Sequence, residues 1–285
     1  MVNLEGIEFP HIIFFKDGHT YWKEGKKRIE SVNGLLKHVT PPFDGPYWST
    51  HSMFKSIYGS EYSKHFGSFK SPKPDAEDLY GIFMDRMTDE EFVTRKREIA
   101  DEWELKKVIA AWRGTMFHDY MERIAYQEKR LYNHAVDKYF PVIFKEKIFD
   151  NQTLFTDLME LEDGAYLELL VFDPVHDLCG QADKVFIETI SGKRYIDIGD
   201  LKTSGEKPDT KGRENYYEPL EHLKKSKHMQ YVLQINLYAK LLQRHGFYPR
   251  HLSYSWYEDY NPEKAHHVDF DFMPGEMNDL FEFFL

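Results

Sequence analysis

An apolar run that ends in Asp200 and Lys202 is the clearest candidate for chemistry in the sequence. Alternate side chains of a β-strand share one face, so the sequence predicts that this carboxylate and this amine point the same way. A carboxylate can hold a divalent cation, and a neighbouring lysine can orient water and neutralise charge on a phosphate in the transition state. The alternative is a solvated ion pair, because an Asp-x-Lys spacing is frequent by chance.

Two further segments could complete such a site. Gly180-Gln-Ala-Asp183 lies on the preceding predicted strand, and a hairpin through residues 191–193 would bring Asp183 towards Asp200. Two carboxylates at one point repel unless a cation lies between them, although a solvated strand end is the alternative. His118 lies four residues before Glu122 on a predicted helix, hence on the same face. One histidine and two aspartates suit Mg²⁺ or Mn²⁺, whereas a lone helix histidine is often a structural residue.

A polar stripe on a later helix is the fourth element of the pattern. Gln230, Gln234 and Tyr238 recur every four residues beside an apolar stripe of leucines. Polar stripes usually face water, but one that borders the core face suits contact with a site or with a bound strand.

The order of these segments resembles the RecB-like branch of the PD-(D/E)XK nuclease superfamily. The resemblance covers about residues 112–242 and combines Gly-Thr-x-x-His-x-x-x-Glu, Gly-x-x-Asp, Asp-x-Lys-Thr-Ser and Gln-x-x-x-Tyr. It implies a set of metal ligands, which are His118, Asp183, Asp200 and the main-chain carbonyl of Leu201. It also implies that Lys202 is the catalytic lysine and that Glu168 is an acidic residue near the metal. Gln234 and Tyr238 would contact the site and the bound strand, and Ala182 replaces the proline of the family name.

Within that family the chain is similar to stand-alone exonucleases, such as the phage recombination exonucleases and the mitochondrial genome maintenance exonuclease. Its single cysteine, Cys179, is incompatible with an iron–sulfur cluster on four cysteines, and no P-loop is present. The resemblance therefore implies a Mg²⁺- or Mn²⁺-dependent deoxyribonuclease without a cluster, an exonuclease rather than an endonuclease. We expect it to act on single-stranded DNA or duplex ends in repair, recombination or replication, with a replication or recombination protein as a possible partner.

Two other functions remain open from the sequence. An HD-type phosphohydrolase is suggested by His118-Asp119 and His176-Asp177, but that class is all-helical and the segment around Asp200 is strand-like. A DNA-binding module that keeps the nuclease fold without turnover is the other alternative.

The elements that must position these residues predict an α/β (α+β) fold. We expect a restriction-endonuclease-like core over residues 111–285, with a central mixed β-sheet flanked by helices. Residues 1–110 would form an N-terminal, mainly helical subdomain with an opening hairpin.

The predicted strands cover residues 11–30 as a meander, then 166–172, 181–188, 194–202, 251–257 and 267–272. The predicted helices are a short one capped by Ser31, one from Thr88 to Trp112, one capped by Thr115 after a break at Gly114, and then 135–147, 228–244 and a terminal one after Pro274. Residues 43–75 read as irregular and 203–228 as a long loop or lid.

Composition limits the function classes. The formal net charge of −11 argues against a protein that coats nucleic acid by charge alone, while 41% hydrophobic residues indicate a globular chain. Residues 191–230 carry nine basic against seven acidic side chains, which predicts either a basic rim for DNA or a solvated loop. The aromatic residues among lysines in 43–75 could stack bases or form a core. We find neither a membrane span nor a targeting leader in the sequence, so we expect a cytoplasmic protein, in the host cytoplasm if phage-encoded.

Overall fold

The structure is a computed structural model, and it describes residues 12–15, 20–23, 27–68, 71–72, 85, 88–144, 158–173, 175–203, 207–212 and 214–285. The chain divides into two compact units. The first contains Met1–Pro41 and Gly114–Leu285, and the second contains Pro42–Arg113.

The first unit is built on a mixed sheet. Its strands are β1 (Ile12–Phe15), β2 (Thr20–Lys23), β3 (Lys27–Ser31), β8 (Gly164–Asp173), β9 (Leu178–Ile190), β10 (Lys193–Lys202), β11 (Tyr248–Tyr257) and β12 (Ala265–Phe270). The strand order is β1-β2-β3-β9-β10-β11-β12, and β8 also pairs with β9. The β3–β9 and β10–β11 pairs are parallel and the other pairs are antiparallel. A separate hairpin is formed by β6 (Arg130–Asn133) and β7 (Lys138–Pro141).

Helices pack on this sheet because each has one apolar face. They are α1 (Val32–Val39), the later part of α3 (Glu90–Glu128), α4 (Lys227–Arg244) and α5 (Pro274–Phe284). Ser31 caps α1 by accepting a hydrogen bond from Gly34 N, and Ser226 caps α4 by accepting one from Met229 N. The largest buried cluster joins α1, α4 and α5 to β8–β11, so the predicted central mixed sheet flanked by helices is confirmed.

The hairpin between β9 and β10 matters most for the site. Ser191 and Gly192 form its two-residue turn, and both have positive φ angles, of 51° and 77°. A two-residue turn of this kind matches the right-handed twist of the strands and sets their register. That register pairs Gly199 with Lys184 and brings Asp183 to the end of β10.

The compact units divide the chain differently from the predicted domains at the N-terminal hairpin. Residues 1–41 belong with 114–285 and not with an N-terminal subdomain. The reason is that β3 adds to the central sheet in parallel, with Glu30 opposite Leu178 and Ser31 opposite Cys179. Apolar side chains of the meander, such as Ile12, are buried in one cluster with those of β8 and β9.

Three predicted elements also differ in the structure. Much of the segment 43–75, expected to be irregular, is helix α2 (Gly45–His65), which is kinked at Gly59, where φ is 56°. It begins where Asp44 Oδ1 accepts a hydrogen bond from Tyr47 N. The short strands Phe66–Ser68 and Ser71–Pro72 follow as β4 and β5, while residues 69–70 and 73–75 lie outside the described part. The expected break at Gly114 does not occur, because α3 runs through it. The expected helix 135–147 is instead a turn followed by strand β7, and residues 145–147 are not described.

The predicted loop 203–228 contains no helix or long strand in its described residues before α4 begins at Lys227, but it is anchored. Tyr216 and Leu220 are buried, and Tyr217 N donates a hydrogen bond to Val39 O. Residues 204–206 and 213, with Ser204 of the Asp-x-Lys-Thr-Ser motif, lie outside the described part. Of the helices in the described part of the chain, none combines the length and the apolar character needed to span a bilayer.

Candidate metal centre

Asp183 and the end of β10 meet as the hairpin prediction required. Asp183 Oδ2 accepts a hydrogen bond of 2.7 Å from the backbone N of Leu201, the residue between Asp200 and Lys202. Both aspartates are largely shielded from solvent, and Asp200 is only 1% exposed. Two carboxylates are therefore held at one point of the sheet.

His118 reaches the same point from α3. Its Nε2 donates to the carbonyl oxygen of Leu201 at 3.1 Å, and its Nδ1 lies 3.6 Å from Asp183 Oδ2. Gly114, one turn earlier, allows this close approach, since a Cβ there would lie 3.2 Å from Thr203 Oγ1. Glu122, expected on the same helix face, interacts with the Tyr126 hydroxyl.

Glu168 completes the group through an unusual backbone conformation. Leu167 pairs with Lys184 and Leu169 pairs with Ala182 across β8 and β9. Glu168 therefore stands opposite Asp183, but it is not itself paired in the ladder. Its φ of 50° is left-handed, which is costly for a residue with a side chain and is typical of functional sites. Glu168 Oε1 lies 3.5 Å from His118 Nδ1. Two facing carboxylates repel across a sheet, so a cation between them would stabilise this arrangement.

His118, Glu168 and Asp183 could together hold a metal ion. One ligand atom from each lies within 4.8 Å of the others. One imidazole nitrogen and two carboxylate oxygens suit Mg²⁺ or Mn²⁺, and the imidazole favours Mn²⁺. The sequence predicted Asp200 as the third side-chain ligand beside His118 and Asp183. The structure instead groups Glu168 with those two residues and pairs Asp200 with Lys202.

Lys202 is held by three groups. Its Nζ lies 2.5 Å from Asp200 Oδ2, donates to Gln234 Oε1 at 3.1 Å, and lies 4.6 Å from the ring centre of Tyr231. Gln234 Nε2 donates in turn to the Tyr238 hydroxyl at 3.0 Å. The predicted polar stripe therefore contacts the site through Gln234 and Tyr238.

Gly180, the glycine of the Gly-x-x-Asp segment, lies in close contact with Tyr238. A Cβ at this position would lie 2.5 Å from Cε1 of Tyr238, a separation that real side chains do not tolerate. The glycine thus allows α4 to pack close to β9, which keeps the Tyr238–Gln234 pair beside Lys202.

Burial and neighbouring charges shift the pKa values of several groups at the site. Burial, followed by the charge of Asp183, raises the pKa of Asp200 to about 6. Burial also raises the pKa of Asp183, where Glu168 adds to the effect. Burial lowers the pKa of His118, but the carboxylates of Glu168 and Asp183 outweigh it and raise the pKa to about 9. Two largely buried aspartates with raised pKa values therefore lie beside a protonated histidine, an arrangement that a cation could stabilise.

Lys202 remains a cation for a related reason. Burial lowers its pKa, but the charges of Asp200 and Asp183 outweigh burial and raise it. At neutral pH the site therefore presents an ammonium beside the carboxylates, suited to stabilising negative charge and not to acting as a free base.

Other predicted features fall outside the group. His176 Nδ1 pairs with Asp173 Oδ2 at 3.0 Å, so the second His-Asp dipeptide does not join His118, and the sheet is incompatible with an all-helical HD fold. Of the aromatic residues in 43–75, Phe54 and Tyr62 are buried in a core of the second unit, in agreement with the core interpretation. The side chains of Phe66 and Phe69 are not described.

Only some of the basic side chains in residues 191–230, the predicted rim for DNA, are available to bind a phosphate. Arg194 donates to backbone carbonyls of Met159 and Leu161, and Lys225 donates to Pro41 O. Arg213 lies outside the described residues. Lys227 is exposed and lies near Lys202, which makes it the member of the rim most closely associated with the site.

Tyr231 is a residue that the sequence reasoning missed. Its ring is 8% exposed and contacts the ammonium groups of Lys202 and Lys227. The signal was present in the i, i+4 spacing of Lys227 and Tyr231 at the start of α4.

No protein-family model matches this chain, and neither the curated proteins nor the solved structures contain a match to it. The side-chain geometry and the sequence motifs therefore carry the functional argument.

Proposed function

We propose that this chain is a divalent-metal-dependent deoxyribonuclease with a restriction-endonuclease-like core, of the RecB-like PD-(D/E)XK type. The observation that carries the proposal is the convergence of His118, Glu168 and Asp183 within 4.8 Å, from one helix and two strands far apart in sequence. Lys202 lies on the strand end that contacts Asp183, as expected for a catalytic lysine.

The residues fit the metal that this chemistry requires. His118, Glu168 and Asp183 would hold Mg²⁺ or Mn²⁺, with Asp200 and the Leu201 carbonyl adjoining, and no cysteine cluster is involved. A bound divalent ion supplies Lewis acidity towards the scissile phosphate and acidifies water. The raised pKa values support this assignment, because burial and Glu168 raise the pKa of Asp183 and burial and Asp183 raise that of Asp200, and a divalent charge would relieve the repulsion.

Lys202 would neutralise negative charge that develops on the phosphate in the transition state. Asp200 and Gln234 hold its ammonium in one position, so little reorganisation is needed during the reaction. Tyr238 acts one step further away, because its hydroxyl orients Gln234.

The DNA substrate and the exonuclease mode rest on the motif resemblance. Single-stranded DNA or a duplex end is the expected substrate, and a replication or recombination protein is a possible partner. Phosphodiester hydrolysis itself is supported by the cation site with an adjacent ammonium.

Cleavage of labelled DNA tests the proposal. The purified chain is incubated with Mn²⁺, Mg²⁺ or EDTA and with 5′-labelled, 3′-labelled and circular DNA, single-stranded and duplex. We expect metal-dependent loss of linear DNA, abolished in Lys202→Ala and retained in Lys193→Ala, a control on the same strand over the Tyr248 ring. Intact DNA under every condition would refute a nuclease, and binding without cleavage would identify a catalytically silent DNA-binding module.

A further inference from the structure

Tyr231 is flanked by two ammonium groups. Lys202 Nζ lies 4.6 Å and Lys227 Nζ 4.9 Å from the centre of its ring. Both distances are within the range of a cation–π contact, which attracts each lysine to the ring while their like charges repel each other. Because each ammonium lies within 5 Å of the same ring centre, the two are less than 10 Å apart.

The two lysines differ in their other partners. Lys202 is committed to Asp200 and Gln234. Lys227 has a long hydrogen bond of 3.4 Å to Gln230 Oε1, and no carboxylate of the described residues forms an ion pair with it. Lys227 therefore carries a charge with no carboxylate partner among the described residues. Burial and the nearby charge of Lys202 lower its pKa, so a bound anion would stabilise its charged form.

The backbone that carries Lys227 is fixed. Ser226 Oγ accepts a hydrogen bond from Met229 N at 3.0 Å, and Asp209 O accepts one from His228 N at 3.0 Å. The Tyr231 ring below is buried. The ammonium is thus presented from a rigid helix start beside the site, which lowers the entropy cost of binding an anion.

We propose that Lys227, with Tyr231 and Lys202, forms a subsite for a backbone phosphate of the nucleic-acid strand, next to the phosphate that is cleaved. The inference rests on the proposed function, since it requires a strand that crosses the metal group. Two cations less than 10 Å apart can contact neighbouring phosphates of one strand, and an anion between them would also relieve their repulsion.

Binding measured without turnover tests this inference. The full chain in EDTA is titrated with a fluorescein-labelled single-stranded oligothymidylate, and fluorescence anisotropy gives Kd over a series of salt concentrations. We expect Lys227→Gln to weaken binding about tenfold at low salt, as for loss of one charge-assisted contact. The slope of log K against log salt should become shallower by about 0.7. Lys227→Arg should retain most of the affinity because it keeps the charge.

Lys240→Gln is the matched control. Lys240 lies on the same helix and contacts Asn278 and the Phe281 ring, so its removal deletes an equal charge away from the site. We expect its Kd and salt slope to equal those of the wild type. Circular dichroism melting checks that the Lys227 variants are folded.

The outcomes separate this inference from the proposed function. If the wild type binds DNA and Lys227→Gln changes Kd no more than Lys240→Gln, the phosphate subsite is refuted while the nuclease proposal stands. If Lys227→Gln weakens binding as expected but the wild type never cleaves, the subsite stands and the nuclease proposal fails. If the wild type binds no oligonucleotide in EDTA, the subsite is overturned, and the nuclease proposal falls with it only if DNA also stays intact with Mn²⁺ and Mg²⁺.

Discussion

Replacing Asp183 by asparagine should stabilise the metal-free protein while destroying the metal site. Asparagine keeps the shape and an oxygen that can accept the hydrogen bond from Leu201 N. It removes one charge from a group in which burial and the Asp183 charge raise the pKa of Asp200 from 3.8 to about 6. Keeping Asp200 ionised in the folded state therefore costs about 3 kcal/mol, at 1.36 kcal/mol for each pKa step.

Part of that cost should be recovered in Asp183→Asn. Burial is the larger cause and persists, and the variant also gives up the attraction of Asp183 for the charged His118 and Lys202. We therefore expect a net gain of at most about 1 kcal/mol in the free energy of unfolding. For a domain of this size each kcal/mol raises Tm by roughly 2–4 °C. Since the folded-state pKa of Asp200 exceeds its unfolded value, the penalty is absent below pH 3.8 and complete above about pH 6. The advantage of the variant should follow the same pH range.

Melting curves in EDTA and in Mn²⁺ measure both effects. A metal at one hundred times its Kd stabilises the wild type by about 2.7 kcal/mol, and Asp183→Asn should lose this increment. Asp197→Asn is the contrasting control. Asp197 lies on the same strand as Asp200, but it is buried against Arg250 and Asn133, which both donate hydrogen bonds to its carboxylate. It should destabilise the protein by about 3 kcal/mol yet keep the metal increment. A lower metal-free Tm in Asp183→Asn, or a metal increment equal to that of the wild type, would refute the reasoning.

Four further predictions follow from the structure. Lys202→Ala should slow single-turnover cleavage at least roughly a hundredfold without changing the Mn²⁺-induced rise in Tm, because the ammonium acts on the phosphate and is not a ligand. Gln234→Leu should lower kcat about tenfold through loss of its hydrogen bond to that ammonium, with KM unchanged; a change confined to KM would contradict this positioning role. Gly180→Ala should destabilise the protein by about 1–3 kcal/mol in urea, since its Cβ would meet Tyr238; unchanged stability would contradict the close packing. Burial and nearby positive charges lower the pKa of His267 to about 4 in the folded protein. As the pH drops from about 6.5 to 4, the unfolded chain therefore binds a proton that the folded chain does not, and the stability of the wild type should fall. His267→Gln should flatten that fall in urea midpoints measured at pH 7 and pH 5, and an equally steep fall would contradict it.

The local part of the site could be predicted from the sequence. Period-two alternation placed Asp200 and Lys202 on one strand face, and the turn at Ser191–Gly192 set the hairpin that brings Asp183 to Leu201. The capping of α1 by Ser31 and the polar stripe along α4 were equally predictable. These features depend on residues close together in the chain, where backbone geometry alone decides which side chains are neighbours.

Only the tertiary structure decided the features that depend on contacts between segments far apart in the chain. Glu168 joins His118 only because its backbone adopts a left-handed φ inside a strand, which no periodicity signals. The helix continues through Gly114 despite the weak helix preference of glycine, and a Cβ at this position would lie 3.2 Å from Thr203 Oγ1, a contact that only the folded chain creates. Strand β3 joins the sheet at Leu178, almost 150 residues away along the chain, because apolar faces and unpaired strand edges are satisfied only in the folded molecule.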